Sequence, residues 1–170
     1  MIEIRAEKPD DSAAIQEVHT EAFGGAGEAK LVRLISERKK ALLSLVAITD
    51  HRVVGHILFS RVTVAGSPDG FSAVGLAPLA VLPGYQRQGI GSSLIREGLK
   101  HCKEADYKAV VLVGHPAYYS RFGFTRAADF GLQNEYGVHD EFMVLPLRDG
   151  ALQGVSGLVK YLPEFREAEC

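Results

Sequence analysis

The stretch Leu79–Ser93, LAVLPGYQRQGIGSS, constrains the fold more than any other part of the chain. Leu79, Ala80, Val81 and Leu82 form a short apolar run, ended by Pro83 and Gly84. Ile90, Leu94, Ile95, Leu99 and Cys102 then recur at helical spacing. The stretch therefore reads as strand, tight turn and helix. Gly89 and Gly91 stand at the helix start, where a missing Cβ lets a ligand approach the backbone. The first N–H groups of a helix lack internal partners, and the macrodipole makes that end positive. Such a turn suits a phosphate. The same glycines also suit close packing of helix on strand, and both readings stand at this point.

Two phosphate motifs are excluded. A Walker A loop needs Gly-Lys-Ser/Thr, which is absent, and the dinucleotide fingerprint needs a third glycine where Leu94 stands. What remains is Gln86-x-x-Gly89-x-Gly91, flanked by Arg87, Gln88, Ile90, Ser92 and Ser93. A net charge of −2 over 170 residues gives no general case for nucleic acid or an anionic membrane. No apolar run approaches the ~20 residues of a membrane span, and Met1–Arg5 begins a strand-like alternation rather than a signal peptide. Cys102 lies on the apolar face of the helix and Cys170 is the last residue, so no disulfide framework is implied and a reducing compartment is expected. The six histidines (His19, His51, His56, His101, His115 and His139) show no metal-ligand spacing, so no metal is expected. A Gly-x-Ser-x-Gly elbow is absent as well.

In chain order, Ile2 to Ala6 alternates as a strand, and Pro9–Ser12 opens a helix whose stripe runs through Ile15, Val18 and Phe23. His19 is expected to pack at the edge of that stripe. Gly24–Gly27 is a break before a second helix from Glu28 to Arg38, and serves either as a mobile edge of a substrate site or as a plain connector. Leu43–Thr49 and Val53–Ala65 form a hairpin around Asp50–Arg52. Gly66–Gly70 is the next turn, and Phe71–Leu82 the third strand. Pro78 inside it removes a donor and belongs at an edge, a bulge or a place where pairing stops. Gly89–Ala105 is helical. Ala109–Val113 suits a strand buried on both faces in parallel pairing, reached by a right-handed crossover. Ala117–Phe122 is a short helix closed by Gly123. Asp140–Leu147 is the last clear strand, and the tail from Arg148 to Cys170 reads as partly irregular packing.

Strand, two helices, three antiparallel strands, helix, strand, helix, strand is an order that resembles the GNAT superfamily of acyl-CoA-dependent N-acetyltransferases. The Gln-x-x-Gly-x-Gly motif falls in its expected place. Tyr119-Ser-Arg-Phe-Gly123-Phe124 resembles the family's Tyr-x-x-x-Gly-Phe segment. The wider wording looks most like a bacterial branch without settled substrates. The resemblance is weakest over residues 20–40 and 125–140. It implies an α+β fold with one domain over 1–170. Its single central mixed sheet would be mostly antiparallel, with one splayed parallel strand pair and flanking helices. It also implies a cytoplasmic enzyme, admits a homodimer, and implies neither a nucleic-acid nor a membrane partner.

By the resemblance, acetyl-CoA is the co-substrate and a primary amine of a small molecule or peptide is the acceptor. Backbone at Leu79 and Val81, with Ala80 between them, would pair with the pantetheine arm as an added strand does. N–H groups from Gln86, Arg87, Gln88, Gly89, Ile90 and Gly91 on to Ser92 and Ser93 would hold the pyrophosphate. The Arg87 side chain either adds a charged contact or is solvated. Tyr119 would donate to the leaving thiolate, while Tyr118 packs. Family members that carry an acid on the strand before the phosphate motif differ from this chain, which reads Val74-Gly-Leu-Ala-Pro-Leu79 there. His115, at the end of the parallel strand, is the base candidate, against a reading as a turn residue. Glu28, Glu135, His139 and a water relay are further candidates. A CoA-binding sensor or an interaction module is the alternative to turnover.

Overall fold

A computed structural model describes residues 1–68 and 71–170, so Asp69 and Gly70 of the expected third turn lie outside the described residues. In chain order the elements are β1 (Glu3–Ala6), α1 (Ser12–Phe23), α2 (Gly27–Glu37), β2 (Ala41–Thr49), β3 (Arg52–Val64), β4 (Ala73–Val81), α3 (Ile90–Glu104), β5 (Ala109–Val113), α4 (Pro116–Tyr119), β6 (Thr125–Arg126), β7 (Leu132–Asn134), β8 (Phe142–Pro146), β9 (Gly157–Lys160) and α5 (Glu164–Glu167). The chain divides into two compact units. One holds Met1–Ser60, Ala77–Lys100 and Pro163–Cys170, and the other holds Arg61–Leu76 and His101–Leu162.

In the first unit, β1 pairs antiparallel with β2 and β2 with β3. Asp50 and His51 both take left-handed φ, 56° and 60°, which is the backbone a two-residue hairpin turn demands. Leu45, Val54, Ile57 and Phe59 are buried, as are Ile15 and Val18 of α1 and Leu31 and Ile35 of α2. Ile15 and Val18 follow the expected apolar stripe of α1, whereas Phe23, the last residue of the helix, is 46% exposed. On α3 the apolar residues Ile90, Leu94 and Ile95 are buried. A Cβ on Gly98 would lie 2.5 Å from Phe59 Cε1, so only glycine lets α3 sit this close to β3. The C-terminal α5 is clamped by Glu164, which accepts Arg38 Nη1 at 2.8 Å and Lys40 Nζ at 2.9 Å.

In the second unit, β4 pairs parallel with β5 over Ala73↔Ala109 to Gly75↔Val111, while β8 pairs antiparallel with both β5 and β6. The sheet is mixed and mainly antiparallel, flanked by helices, in agreement with the sequence. Pro78 lies beyond Gly75, the last residue of the parallel register, so its missing N–H costs no bond to β5. Val113 departs from the expected double burial and is 47% exposed, two residues past the last β4 partner.

The tail also departs from expectation. It contributes β9, which pairs antiparallel with β3 at Thr63↔Lys160 and parallel with β7 at Leu132↔Gly157, a second parallel pair. Gly157 has φ 126°, and a Cβ there would lie 2.5 Å from the Ala65 carbonyl. Glycine is what admits this strand. Four residues are too few to show a strand period, which is why the sequence reads as irregular. The expected 117–122 helix divides into α4 and a 3₁₀ turn, Ser120–Phe122, closed by Gly123 at φ 96°.

Candidate functional site

At the end of β4, Leu82 N–H donates to Val54 C=O at 2.8 Å. The Ala80 carbonyl lies 3.3 Å from where a Cβ on Gly55 would be. The peptide groups of Ala80 and Leu82 thus face β3, and alternation turns those of Leu79 and Val81 away from it. Of the three β4 residues expected to meet a ligand, Ala80 is the one whose backbone is directed to the sheet. The Gln86 side chain folds back on the strand, its Nε2 donating to Val81 C=O at 2.9 Å, and Gln88 Nε2 donates to Gly84 C=O at 3.4 Å. The two glutamines therefore shape the loop, a role the sequence motif did not reveal.

Arg87 and Gly89 take left-handed φ, 63° and 84°. Gly89 C=O accepts the first helical bond, from Ser93 N–H at 3.0 Å. The N–H groups of Ile90, Gly91 and Ser92 precede that bond, at the positive end of a 15-residue helix. Ile90 is buried and anchors the helix start, whereas Gln86 through Gly89 are exposed. A Cβ on Gly89 would meet nothing within 4 Å. At Gly89 a side chain would have room, so the glycine is required there by its left-handed φ rather than by close packing. Arg87 is the one charged residue from Leu79 to Ile95. An exposed turn of N–H donors with one cation and no carboxylate in the sequence around it fits a diphosphate.

His115 and Tyr119 come together at α4. The His115 carbonyl accepts the Tyr118 and Tyr119 N–H groups, both at 3.1 Å, and its side chain is exposed. The His115 backbone thus starts the helix. The Tyr119 ring is half-buried, 5.0 Å from Tyr118 and 6.0 Å from Phe124, both edge-on. A Cβ on Gly114 would collide with it, so Gly114 makes the space the ring occupies. Burial, with Tyr118 adding to it, pushes the Tyr119 phenol up to about 12. Tyr118 packs as expected, with the Arg121 guanidinium 5.0 Å above its ring.

The other base candidates lie elsewhere in the fold. Glu135 accepts Tyr161 N–H at 3.0 Å, the His139 carbonyl accepts Phe142 N–H at 3.2 Å, and Glu28 occupies the first turn of α2. His19 corrects the sequence reading. It is not at an edge but fully buried, its Nε2 2.8 Å from Nδ1 of His56, which is also fully buried. His56 Nε2 lies 2.7 Å from Ser44 Oγ, and Ser44 donates to Glu7. The signal was the position of His56 in β3, between Val54 and Leu58 on one face of an apolar strand. An open groove of about 810 Å³ adjoins α1, lined by Thr20, Glu21, Gly24, Arg52, Leu82 and Tyr85 among others. Among the described residues there is no group of three or more His, Cys, Asp or Glu that could hold a metal, and no helix long and apolar enough to cross a membrane.

The sequence profile of the acetyltransferase (GNAT) domain matches residues 3–127, more than half of the chain. The uncharacterized N-acetyltransferase YhbS of Escherichia coli K12 is 43% identical over 164 residues, which is 95% of this chain and 97% of that protein. The YhbS crystal structure, a complex with CoA, superposes with a TM-score of 0.92 at 41% identity, covering 97% of this chain and 92% of the other. A GNAT family acetyltransferase from Brucella melitensis in complex with acetyl-CoA gives a TM-score of 0.80 at 36% identity, covering 97% and 98%.

Proposed function

Because the chain belongs to the GNAT superfamily of N-acetyltransferases, we propose that it transfers an acetyl group from acetyl-CoA to a primary amine of a small molecule or peptide, by direct attack in a ternary complex. The observation that carries the reading is the turn Arg87–Gly91 at the start of α3, exposed from Arg87 to Gly89, whereas the Gln86 N–H is given to Pro83 C=O at 3.5 Å. Its N–H groups hold the pyrophosphate and Arg87 supplies the cation. The strand-end groups of Leu79 and Val81, turned away from β3, bind the pantetheine amides, and Val81 N–H stabilises the thioester oxyanion. The whole chain, 1–170, acts as one acetyltransferase domain.

Tyr119 serves the leaving thiolate. A thiol has an ordinary pKa near ~8.5, against about 12 for this phenol. Full transfer of the phenolic proton is uphill by roughly 3.5 units, or about 5 kcal/mol at ~1.4 kcal/mol per unit. Tyr119 therefore acts as a hydrogen-bond donor that strengthens as negative charge reaches sulfur. His115 is exposed and within the same turn of chain, and is the residue to test for a base.

Thermal unfolding with and without acetyl-CoA tests the reading. A ligand at ~100 times its dissociation constant adds about 2.7 kcal/mol, and each kcal/mol moves the midpoint of a domain this size by roughly 2–4 °C. The expected result is a rise of several degrees with acetyl-CoA and little with ATP or NAD. No rise at millimolar acetyl-CoA would sink the proposal.

A further inference from the structure

Glu7, Ser44, His56 and His19 form a hydrogen-bonded chain whose proton positions follow from donor counting. The Ser44 hydroxyl donates its one hydrogen to the Glu7 carboxylate, which only accepts. Ser44 Oγ, 2.7 Å from His56 Nε2, must then receive its hydrogen from that nitrogen. A neutral His56 has a bare Nδ1, which accepts from His19 Nε2–H at 2.8 Å. A neutral His19 is left with a bare Nδ1, and that atom is buried without a hydrogen-bond partner. Both rings being fully buried favours the neutral forms on which the count depends. Every donor in the chain points toward Glu7, whose side chain is 20% exposed, and the inner end is an unused lone pair.

The chain also lies beside the strand that the proposed function needs. A Cβ on Gly55 would face Leu94 and Ile90 of α3, so His56, the next residue, projects to the opposite face and meets α1. Because Leu82 N–H bonds Val54 C=O and the strands run antiparallel, His56 falls beside Ala80, between Leu79 and Val81. His19 immediately precedes Thr20 and Glu21, which line the open groove with Leu82 and Tyr85.

We infer that Glu7–Ser44–His56–His19 is a proton relay for the acyl transfer, with His19 Nδ1 as its accepting end, reached from the amine through one water. The inference rests on the acetyltransferase reading above. The amine N–H becomes acidic only as its C–N bond to the acetyl carbon forms. At that step the N–H breaks to water, the water gives a proton to His19 Nδ1, and the electron pair stays on nitrogen. His19 Nε2–H passes to His56 Nδ1, His56 Nε2–H passes to Ser44 Oγ, and the Ser44 hydrogen passes to Glu7. Glu7 releases it to bulk water. When the product leaves, one proton re-enters at Glu7 and one leaves Nδ1 to the bridging water, which restores the first arrangement. Of the other charged groups, Asp11 acts on His56 across the chain and is itself held by Arg5, which bonds it at 2.7 Å.

The first test is ring ¹⁵N NMR of the whole protein near pH 7.5. His19 and His56 are both expected as Nε2–H tautomers, and an Nδ1–H tautomer for either overturns the relay. The second is thiol release from acetyl-CoA with lysinamide as the amine. Ser44→Ala is expected to lower kcat about 10²-fold, the lower end of general-base contributions. It should shrink the solvent isotope effect and leave KM for acetyl-CoA unchanged, while Ser44→Thr restores kcat. If Ser44→Ala does not fold, Glu7→Gln is measured in its place with the same expectation. A folded Ser44→Ala within twofold of the parent kcat overturns the relay and leaves the acetyltransferase reading intact. A parent protein that acetyl-CoA fails to stabilise overturns that reading, and the relay's role with it.

Discussion

Tyr119 owes its chemistry to a residue that has no side chain. Gly114 leaves the room that the tyrosine ring fills, and the resulting burial raises the phenol to about 12. A phenol so reluctant to ionise is a durable donor at neutral pH. Tyr119→Phe removes the hydroxyl and keeps the ring contacts with Tyr118 and Phe124. An interaction that strengthens only as the thioester breaks belongs in kcat. The expected fall is about 10²-fold or somewhat less, at the low end for acid–base residues because the proton need not fully transfer. The acetyl-CoA dissociation constant should barely move. Steady-state kinetics with chemistry rate-limiting, together with calorimetric binding, check this. An unchanged kcat removes Tyr119 from the mechanism, and a collapse in binding with kcat preserved makes it a pocket wall.

The turn before α3 is an element whose form was largely legible and whose wiring was not. Glycine spacing and the apolar stripe from Ile90 onward located it. That Gln86 reaches back to Val81 C=O is a three-dimensional closure that no periodicity encodes. Gly91→Asp places a carboxylate among the N–H groups that start the helix, a position where Asp is tolerated by the macrodipole but repels a diphosphate. We expect an unchanged far-ultraviolet spectrum and loss of detectable acetyl-CoA binding. Normal binding would make the turn a packing device after all. At β9 the element itself escaped the sequence, for want of length. Gly157→Ala tests how firmly it is built in, since φ 126° is strained for any side chain and the new Cβ meets the Ala65 carbonyl. Strain of this kind costs about 1–3 kcal/mol. Urea unfolding should show a loss at the upper end of that range, and a change under 0.5 kcal/mol would mean that β9 is dispensable to stability. His19 was misread for a different reason. Helical spacing marked its face correctly, but only the partner on β3 could show that a polar ring was fully buried there.

The stability of the molecule as a whole carries the mark of that buried pair. Burial lowers His19 to about 4, and it lowers His56 well below the ordinary value, with the neighbouring His19 adding to the effect. Above pH ~6.5, the unperturbed value for histidine, folded and unfolded chains are alike neutral at these rings. Between ~6.5 and about 4 the unfolded chain takes up protons at these sites and the folded chain does not. The unfolded state then binds more protons, so stability falls as pH falls through this window. The slope is about 1.4 kcal/mol per pH unit for each such histidine. His19 alone accounts for roughly 3 kcal/mol lost by pH 4, since the interval is about 2.5 units wide, and His56 adds in the same direction. Carboxylates act lower. The bond from Arg5 holds Asp11 below its ordinary value, so its contribution disappears only as pH falls below that. Urea unfolding at pH 7.5, 6.5, 5.5 and 4.5 therefore isolates the histidines. The parent should be flat over the first interval and then lose stability steadily. His19→Gln, which cannot take a proton, should be less stable at pH 7.5 yet lose less on acidification. A parent whose unfolding free energy stays constant from pH 6.5 to 4.5 would show that neither ring is held neutral by the fold. The donor order from His19 to Glu7 would then lose its basis.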